Sequence, residues 1–173
     1  IIMFTADNGT NKNLSSVWQG QFIRGGKGGM TDMGTHVPFV ASWPGSTPAG
    51  MVSNDLIDFT DFYATLADAA GFRKGPADPI DGRSFLPQLQ GQPGDPREWV
   101  LCHYQPYWNQ TPGQFARNQS YKLYRDGRFF AIPLDMEEKH VLELGKAGAK
   151  GEATRQALAA LLEQVPPAHT EKG

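Results

Sequence analysis

Two oxygen-bearing side chains and a lysine between glycines are the residues of this chain whose types and spacing could do chemistry. Asp7 and Asn8 follow an apolar segment and come directly before Gly9. Lys27 stands further along, between the glycine pairs 25–26 and 28–29. Carboxylate and amide oxygens are the ligands that hard cations prefer, and a lysine offers a point charge to an anion. The sequence therefore predicts part of a metal site that handles an anionic substrate.

Other interpretations of the same residues stay open. Asp-Asn-Gly also suits a plain turn, and Ca²⁺ takes roughly six to eight oxygens, more than two residues supply. A glycine-flanked lysine equally suits an exposed loop. The segment does not match a phosphate-binding P-loop, because Gln21 replaces its first glycine and Gly28 replaces the Ser or Thr that binds magnesium.

Histidine and cysteine give little support for a transition-metal site or a thiol nucleophile. The four histidines lack the i, i+4 spacing of a zinc pair, although His36 lies close to Lys27 in sequence. The only cysteine, Cys102, excludes an internal disulfide framework. Because Cys102 stands in an apolar run, we expect it to be a small buried hydrophobe.

Composition narrows the class of protein. With 173 residues and 39% hydrophobic residues, the chain can bury a core. A net charge of -2 argues against nucleic-acid binding, and no apolar run approaches the roughly 20 residues of a membrane span. The chain begins inside an apolar run without a methionine, so we expect it to be a piece of a longer protein.

The first part of the chain predicts an α/β arrangement. We expect strands over residues 1–6 and 37–43, both buried on two faces as in a mixed or parallel sheet, and a polar surface loop over residues 10–20. Asp7 and Asn8 then lie at the edge where the first strand ends. Apolar residues at spacings of three and four predict a helix over this sheet, with Asp58 as its N-cap and Gly71 as its C′ residue.

The second part predicts a small α+β subdomain. A proline- and glycine-rich segment with a short helical turn over residues 83–89 leads to a boundary, which we place between residues 92 and 93. Strands are expected over residues 99–104, 121–125 and 129–132, with Asp126-Gly127 as a hairpin turn. A packing helix over residues 152–165 presents Leu158, Leu161, Leu162 and Val165 on one face.

The order of these motifs resembles the sulfatase family of the alkaline-phosphatase-like superfamily. The resemblance rests on the Asp-Asn-Gly turn, the Gly-Lys-Gly loop, the strand ending in Trp-Pro-Gly, and the runs 58–66, 81–85 and 121–125 with the glutamate pair 137–138. It covers essentially the whole chain, which corresponds to the C-terminal third or so of a typical sulfatase. The resemblance implies that the sheet and helix of residues 1–92 are part of an alkaline-phosphatase-like α/β lobe.

The resemblance also implies roles for the candidate residues. Asp7 and Asn8 match the pair that helps to hold the active-site cation, usually Ca²⁺, with Mg²⁺ as the alternative. Lys27 matches the lysine that contacts the substrate sulfate. The segment after Lys27 departs from the family pattern, because Asp32, Met33 and His36 stand where the family often has Glu, Gly and Arg. We expect His36 to be a structural stand-in for that arginine.

The nucleophile of the family is absent from this chain. Neither the Cys/Ser-x-Pro-Ser-Arg motif, whose first residue becomes formylglycine, nor the early Asp-Asp pair of the cation shell occurs in the sequence. We therefore expect the isolated chain to lack sulfatase turnover. The remainder of the same polypeptide would supply the missing groups.

The resemblance predicts a sulfated small molecule or a sulfated saccharide as substrate. Tyr104, Tyr107 and Trp108 are candidate rim aromatics for a sugar or aryl group, although core packing explains them equally well. A phosphatase or phosphonate hydrolase of the same superfamily remains an alternative, as does a non-catalytic binding or assembly module. Family members are often periplasmic, secreted or lysosomal, and this sequence does not decide among these compartments.

Overall fold

A computed structural model describes residues 1–18, 20–72, 81–105 and 112–168 of the chain. Tyr107, Trp108 and His169 lie outside the described residues. The chain forms two compact units, the first made of residues 1–4 and 39–100 and the second of residues 5–38 and 101–173. The domain boundary between residues 92 and 93 stays a prediction.

The described elements are short strands and helices with a 3-10 turn. The strands are β1 (Ile2–Thr5), β2 (Ser15–Trp18), β3 (Gln21–Arg24), β4 (Phe39–Ser42), β5 (Val100–Tyr104), β6 (Gly113–Arg117), β7 (Tyr121–Tyr124) and β8 (Phe129–Ala131). The helices are α1 (Asp32–Thr35), α2 (Asp61–Ala69), α3 (Leu86–Leu89) and α4 (Gly148–Glu163), and the 3-10 turn is Ile132–Leu134. None of the described helices is long and apolar enough to cross a membrane.

Strands β1 and β4 form where the sequence predicted strands and pair with each other, but the described residues do not bury both of their faces. The ring of Phe39 packs edge-on against Phe62 and Phe85, with centroid distances of 5.3 and 5.6 Å. These contacts cover one face of β4. Phe4 and Val40 are 65% and 61% exposed, so the prediction of burial on both faces is wrong for the described residues.

Helix α2 is present as predicted, but its start shifts and part of the predicted apolar face stays exposed, with Tyr63 61% and Leu66 47% exposed. The N-cap position is Thr60, not Asp58. Asp58 instead accepts hydrogen bonds from the backbone N–H and the hydroxyl of Thr60 through Oδ1, which satisfies a donor ahead of the first turn. Gly71 has a φ of +72° and ends the helix as predicted, since that conformation favours glycine.

A buried carboxylate ties α2 to the later segments of the first unit. Asp61 is 1% exposed and accepts hydrogen bonds from the backbone N–H groups of Asp58 and Arg83. It also pairs with the guanidinium of Arg97, whose Nε lies 2.6 Å from Oδ2. This hydrogen bond raises the pKa of Arg97 despite its partial burial. Three segments of the first unit therefore meet at one side chain.

Residues 10–20 were predicted to form a surface loop, and the structure corrects this. Strands β2 and β3 form an antiparallel hairpin in which Val17 pairs with Phe22 and Trp18 pairs with Gln21. Gly20, with a φ of +79°, lies in the turn. The hairpin was not predicted, because each strand is only four residues long and largely exposed, and neither therefore shows the apolar pattern of a buried strand.

The second unit is built around a four-stranded sheet in the order β5-β6-β7-β8. Strand β7 is antiparallel to both β6 and β8, and the Asp126-Gly127 turn between β7 and β8 has the predicted position. Strand β6 was not predicted. The core cluster of the second unit consists of Phe115, Tyr124, Phe130 and Ile132, with Met30 and Cys102 packed against it. Cys102 is thus a part-buried hydrophobe, as expected.

Helix α4 packs against β6 and β7 and begins earlier than predicted. Leu158 and Leu162 of its predicted apolar face are buried. Arg125 of the sheet donates hydrogen bonds to the carbonyls of Leu162 and Val165, which lie at the end of the helix. Carbonyls at a helix C-terminus lack partners within the helix, so this arginine both caps α4 and fixes it on the sheet.

Candidate functional site

The three residues singled out by the sequence lie in neighbouring loops of the second unit. Asp7 and Asn8 follow β1, and Lys27 follows β3. The backbone N–H of Lys27 donates to the carbonyl of Thr10 at 3.0 Å, and the N–H of Gly9 donates to the carbonyl of Gly34 at 2.9 Å. The structure therefore brings the predicted metal ligands and the predicted anion contact into one loop cluster.

Glycines let the backbones of this cluster approach each other closely. A Cβ atom on Gly9 would lie 1.9 Å from the carbonyl oxygen of Met33. A Cβ atom on Gly25 would lie 2.2 Å from the carbonyl oxygen of Asn11, and one on Gly34 would lie 2.2 Å from that of Gly29. These separations exclude any side chain. Gly9, Gly25 and Gly34 therefore allow neighbouring backbone segments to pack closely. The sequence alone did not show whether these glycines allow close packing or make the loops flexible.

Replacing Gly9 with alanine is expected to destabilise the second unit by about 3 kcal/mol, because the added methyl group must push the Met33 backbone away. The measurement is chemical unfolding followed by fluorescence. Gly127→Ala is the control, since a Cβ atom there meets open space and only the φ of +92° opposes it, at a cost of about 1 kcal/mol. Equal losses for the two variants would contradict the close packing at Gly9.

The side chains of the three candidate residues are available to a ligand. Asp7 and Lys27 are exposed and Asn8 is half-buried. Among the residues that the structure describes, none forms a hydrogen bond or an ion pair with these three side chains. A carboxylate and a carboxamide that are not engaged elsewhere suit a hard cation.

The described residues supply only part of a metal shell. No group of three or more His, Cys, Asp or Glu side chains that could hold a metal ion occurs in ranges 1–18, 20–72, 81–105 and 112–168. Asp7 and Asn8 contribute one carboxylate and one carboxamide. The pair fits a Ca²⁺ or Mg²⁺ ion as two ligands of a larger set.

The described histidines engage polar neighbours. The His36 side chain is 71% exposed, and its Nδ1 lies 3.6 Å from a carboxylate oxygen of Asp32. His103 forms hydrogen bonds with the amide side chains of Gln105 and Gln114. His36 therefore carries an interaction with the segment that follows Lys27, in keeping with the structural role expected for it.

A buried ionic cluster attached to the Lys27 loop was missed by the sequence analysis. Asp32 is 2% exposed at the start of α1. Its two carboxylate oxygens accept hydrogen bonds of 2.8 and 2.7 Å from Nη1 of Arg117, and Lys122 Nζ lies 3.9 Å away. Local sequence patterns gave no signal for this contact, because Asp32 and Arg117 are 85 residues apart.

Lys122 is the centre of the cluster. Its side chain is fully buried, and its ammonium group donates to the carbonyl of Met30 and to Glu138 Oε1. Nζ also lies 3.8 Å from the centroid of the Phe115 ring. Tyr124 donates its hydroxyl hydrogen to the other carboxylate oxygen of Glu138. The only sequence signal was the family resemblance of residues 121–125 and of the glutamate pair.

Burial and charge shift the pKa values of this cluster. Burial alone would raise the pKa of Asp32, but the contact with His36 and the charges of Arg117 and Lys122 outweigh it and lower that pKa. Burial lowers the pKa of Lys122, and Glu138 opposes this effect. Burial and the neighbouring Glu138 carboxylate raise the pKa of Tyr124. The tyrosine therefore stays protonated and donates.

The lowered pKa of Asp32 predicts an acid-dependent part of the stability. A carboxyl group with a lower pKa in the folded state stabilises the fold above its unfolded pKa, near 3.8, and loses this contribution as the pH falls through its folded pKa. We expect Asp32→Asn to be about 3 kcal/mol less stable at pH 7, with the difference narrowing below about pH 4. Urea unfolding of both forms across this range provides the test. A difference independent of pH would contradict the prediction.

Comparison with protein families gives one match that covers most of the chain. Residues 25–145 match the family described as N-sulphoglucosamine sulphohydrolase, C-terminal. The matched region contains the Lys27 loop, the Asp32 cluster and the four-stranded sheet.

Curated relatives agree with this match. An ulvan-active sulfatase of Formosa agariphila is 39% identical over 108 residues, which are 58% of this chain and 21% of that protein. Arylsulfatase A of Bos taurus is 34% identical over 126 residues, which are 72% of this chain and 24% of that protein. The chain thus spans between a fifth and a quarter of the length of these relatives.

Solved structures show the same fold. A putative sulfatase from Bacteroides thetaiotaomicron matches 98% of this chain and 39% of that chain, with a TM-score of 0.71 and 20% identity. A protein solved in complex with its substrate D-glucosamine-2-N,6-O-disulfate matches 94% of this chain and 33% of that chain, with a TM-score of 0.72 and 23% identity. At these identities the likeness establishes the alkaline-phosphatase-like fold.

Proposed function

Because this chain belongs to the sulfatase family, as part of its C-terminal region, we propose that the full-length protein hydrolyses sulfate esters. The observation that carries the proposal is the joining of the two candidate loops. The bonds from Gly9 to Gly34 and from Lys27 to Thr10 hold a carboxylate, a carboxamide and an ammonium group in one loop cluster. That set of groups suits a divalent cation beside a sulfate.

Asp7 and Asn8 are proposed to bind Ca²⁺, with Mg²⁺ as the alternative, through their side-chain oxygens. The bound cation would supply positive charge that polarises the sulfate group. Support comes from the chemistry of the two side chains and from their lack of other partners among the described residues. The rest of the polypeptide is proposed to complete the ligand set.

Lys27 is proposed to bind the sulfate and to stabilise negative charge that develops on the leaving oxygen. Its ammonium group can donate up to three hydrogen bonds, and its exposed side chain can reach a ligand without breaking a hydrogen bond or an ion pair to the described residues. The backbone of the Lys27 loop packs closely against its neighbours at Gly25 and Gly26, and this packing is proposed to restrict the loop. A fixed donor contributes more than a mobile one, because less reorganisation precedes the reaction.

The nucleophile is proposed to be a formylglycine that forms from a Cys or Ser outside this chain. No Cys/Ser-x-Pro-Ser-Arg motif occurs in the 173 residues, and Cys102 lies in the sheet against the core cluster. The isolated chain is therefore proposed to be inactive. Its substrate in the full-length protein is proposed to be a sulfated small molecule or a sulfated saccharide, in keeping with relatives named arylsulfatase A and ulvan-active sulfatase.

The test is hydrolysis by the full-length protein with Ca²⁺ present. An aryl sulfate and a sulfated monosaccharide are compared with the matched phosphate esters. We expect kcat/KM for at least one sulfate ester to exceed that for its phosphate analogue by more than tenfold, with mass spectrometry detecting formylglycine. A reversed preference with an unmodified Ser or Thr nucleophile would support a phosphatase or phosphonate hydrolase instead. Absence of hydrolysis would favour the non-catalytic module.

A further inference from the structure

The segment that follows Lys27 is hydrogen-bonded to the four-stranded sheet at residues 28, 30 and 32, and we call these three contacts the fastenings. The Tyr104 hydroxyl donates to the carbonyl of Gly28 at 2.8 Å. The ammonium group of Lys122 donates to the carbonyl of Met30, and Arg117 donates to the carboxylate of Asp32. Residues 28, 30 and 32 are therefore held by strands β5, β7 and β6 respectively.

These fastenings connect to both parts of the proposed site. The first lies one residue after Lys27. The last is on Asp32, two residues before Gly34, whose carbonyl accepts the hydrogen bond from Gly9 beside Asn8. A shift of the segment would therefore move Lys27 relative to Asp7 and Asn8. The sheet contacts this segment at the backbone carbonyls of Gly28 and Met30 and at the side chain of Asp32.

The polar character of the fastenings indicates more than a packing role. The side chain of Lys122 is fully buried, and a buried ammonium group is costly unless it is paired and hydrogen-bonded. An apolar side chain of similar volume would often stabilise the fold at least as well. Hydrogen bonds to a backbone carbonyl, in contrast, fix one position of the loop. This distinction favours a positioning role for the buried lysine.

Glu138 provides an independent indication of strain in the same cluster. It has a φ of +58°, an unusual conformation for a residue other than glycine. Its carboxylate meets the ammonium group of Lys122 and the hydroxyl of Tyr124. Backbone strain persists only where the surrounding contacts over-determine the position, and it is concentrated near functional sites. The strained residue here neutralises the lysine that holds the loop.

We propose that the β5–β8 sheet is the positioning device of the active site, with Tyr104, Arg117 and Lys122 as positioning residues for Lys27. This inference rests on the proposed function of Lys27. None of the three residues touches the sulfate in this account. Each acts through the backbone or the side chain of the segment 28–32.

The first readout is hydrogen exchange at the amides of Lys27 and Gly9 in the full-length protein, which does not depend on turnover. Tyr104→Phe removes a single hydroxyl and is the mild variant, whereas Lys122→Met removes the buried charge. We expect exchange at these two amides to accelerate about tenfold or more in both variants. Tyr121→Phe is the matched control on the same sheet, because the Tyr121 ring stacks on Phe129. Exchange in the control should not change.

The second readout separates positioning from general stability. We expect Tyr104→Phe to lower kcat for the sulfate ester about 10-fold and Lys122→Met about 100-fold, because small displacements of a catalytic group are costly. Asp61→Asn removes an equally buried charge in the other unit and should lower the melting temperature while leaving kcat within twofold. Similar losses of kcat in Asp61→Asn and Lys122→Met would overturn the inference.

Two further results would overturn the inference. A measurement of the unmodified protein separates its failure from that of the proposed function. Unchanged exchange at Lys27 and Gly9 in Tyr104→Phe would show that the sheet does not hold the loop. Faster exchange with unchanged kcat would show that the hold does not position Lys27. Turnover of the unmodified protein is measured first, because its absence counts against the proposed function and not against the fastening of the loop.

Discussion

Lys27→Ala in the full-length protein is expected to lower kcat for a sulfate ester by about 10²- to 10³-fold, as the loss of one preorganised donor to a developing charge does in other enzymes. The reason is the proposed contact between the ammonium group and the sulfate. Folding should be nearly unaffected, because the side chain is exposed and forms no hydrogen bond or ion pair with the described residues. Steady-state kinetics and a thermal melt of the same sample give both quantities.

Lys12→Ala is the matched control for this prediction. Lys12 is an exposed lysine near the same loop cluster, and its role there is to accept a hydrogen bond from Arg24 through its backbone carbonyl. That bond survives the substitution, so turnover should stay within about twofold of the unmodified protein. Near-normal turnover in Lys27→Ala, or an equal loss in Lys12→Ala, would remove the proposed role of Lys27.

Asp7→Ala is expected to weaken Ca²⁺ binding by the full-length protein at least about tenfold. It should also lower the turnover of the sulfate ester. A carboxylate contributes both an oxygen ligand and a negative charge, so its loss leaves the cation with fewer ligands and a less favourable field. Isothermal titration with Ca²⁺ measures the affinity without reference to activity. Asn8→Ala should give a smaller loss, because a carboxamide oxygen carries no full charge.

Asp95→Ala serves as the control for the metal titration. Its side chain is 91% exposed in the other unit, where it pairs with Arg83 at 3.5 Å. Removal of this carboxylate changes the net charge as Asp7→Ala does, so it accounts for a general electrostatic effect. An unchanged Ca²⁺ affinity in Asp7→Ala would reject the ligand assignment. Equal losses in the two variants would reduce it to a charge effect.

Local patterns predicted the elements that local interactions determine. Helices α2 and α4 and the turn at Asp126-Gly127 were predicted from local patterns, although the start of each helix differs from the prediction. The β2–β3 hairpin and β6 were missed, because each strand is short and lacks a run of β-branched residues. The burial of β1 and β4 was overestimated, since an apolar run does not reveal which of its faces a neighbouring element covers.

For the candidate site, too, the sequence indicated the features that depend on neighbouring residues and missed those that depend on distant ones. Residue types at turns suggested Asp7, Asn8 and Lys27 as candidates; the structure places all three in one loop cluster, and their roles stay predictions. The supporting cluster was not found, because the bond from Lys122 to Met30 joins residues 92 positions apart. Such contacts depend on the register of the sheet against the loop. A lysine in a short strand also gives no sign of its own burial, as exposed lysines are far more common.

The proposed roles of Asp7, Asn8 and Lys27 can be tested by a crystal structure of the full-length protein with Ca²⁺ and bound sulfate. We expect an ion with side-chain oxygens of Asp7 and Asn8 at about 2.3–2.6 Å, and Lys27 Nζ within about 3.2 Å of a sulfate oxygen. An ion or a sulfate held by other residues, with Asp7, Asn8 and Lys27 facing solvent, would contradict these roles.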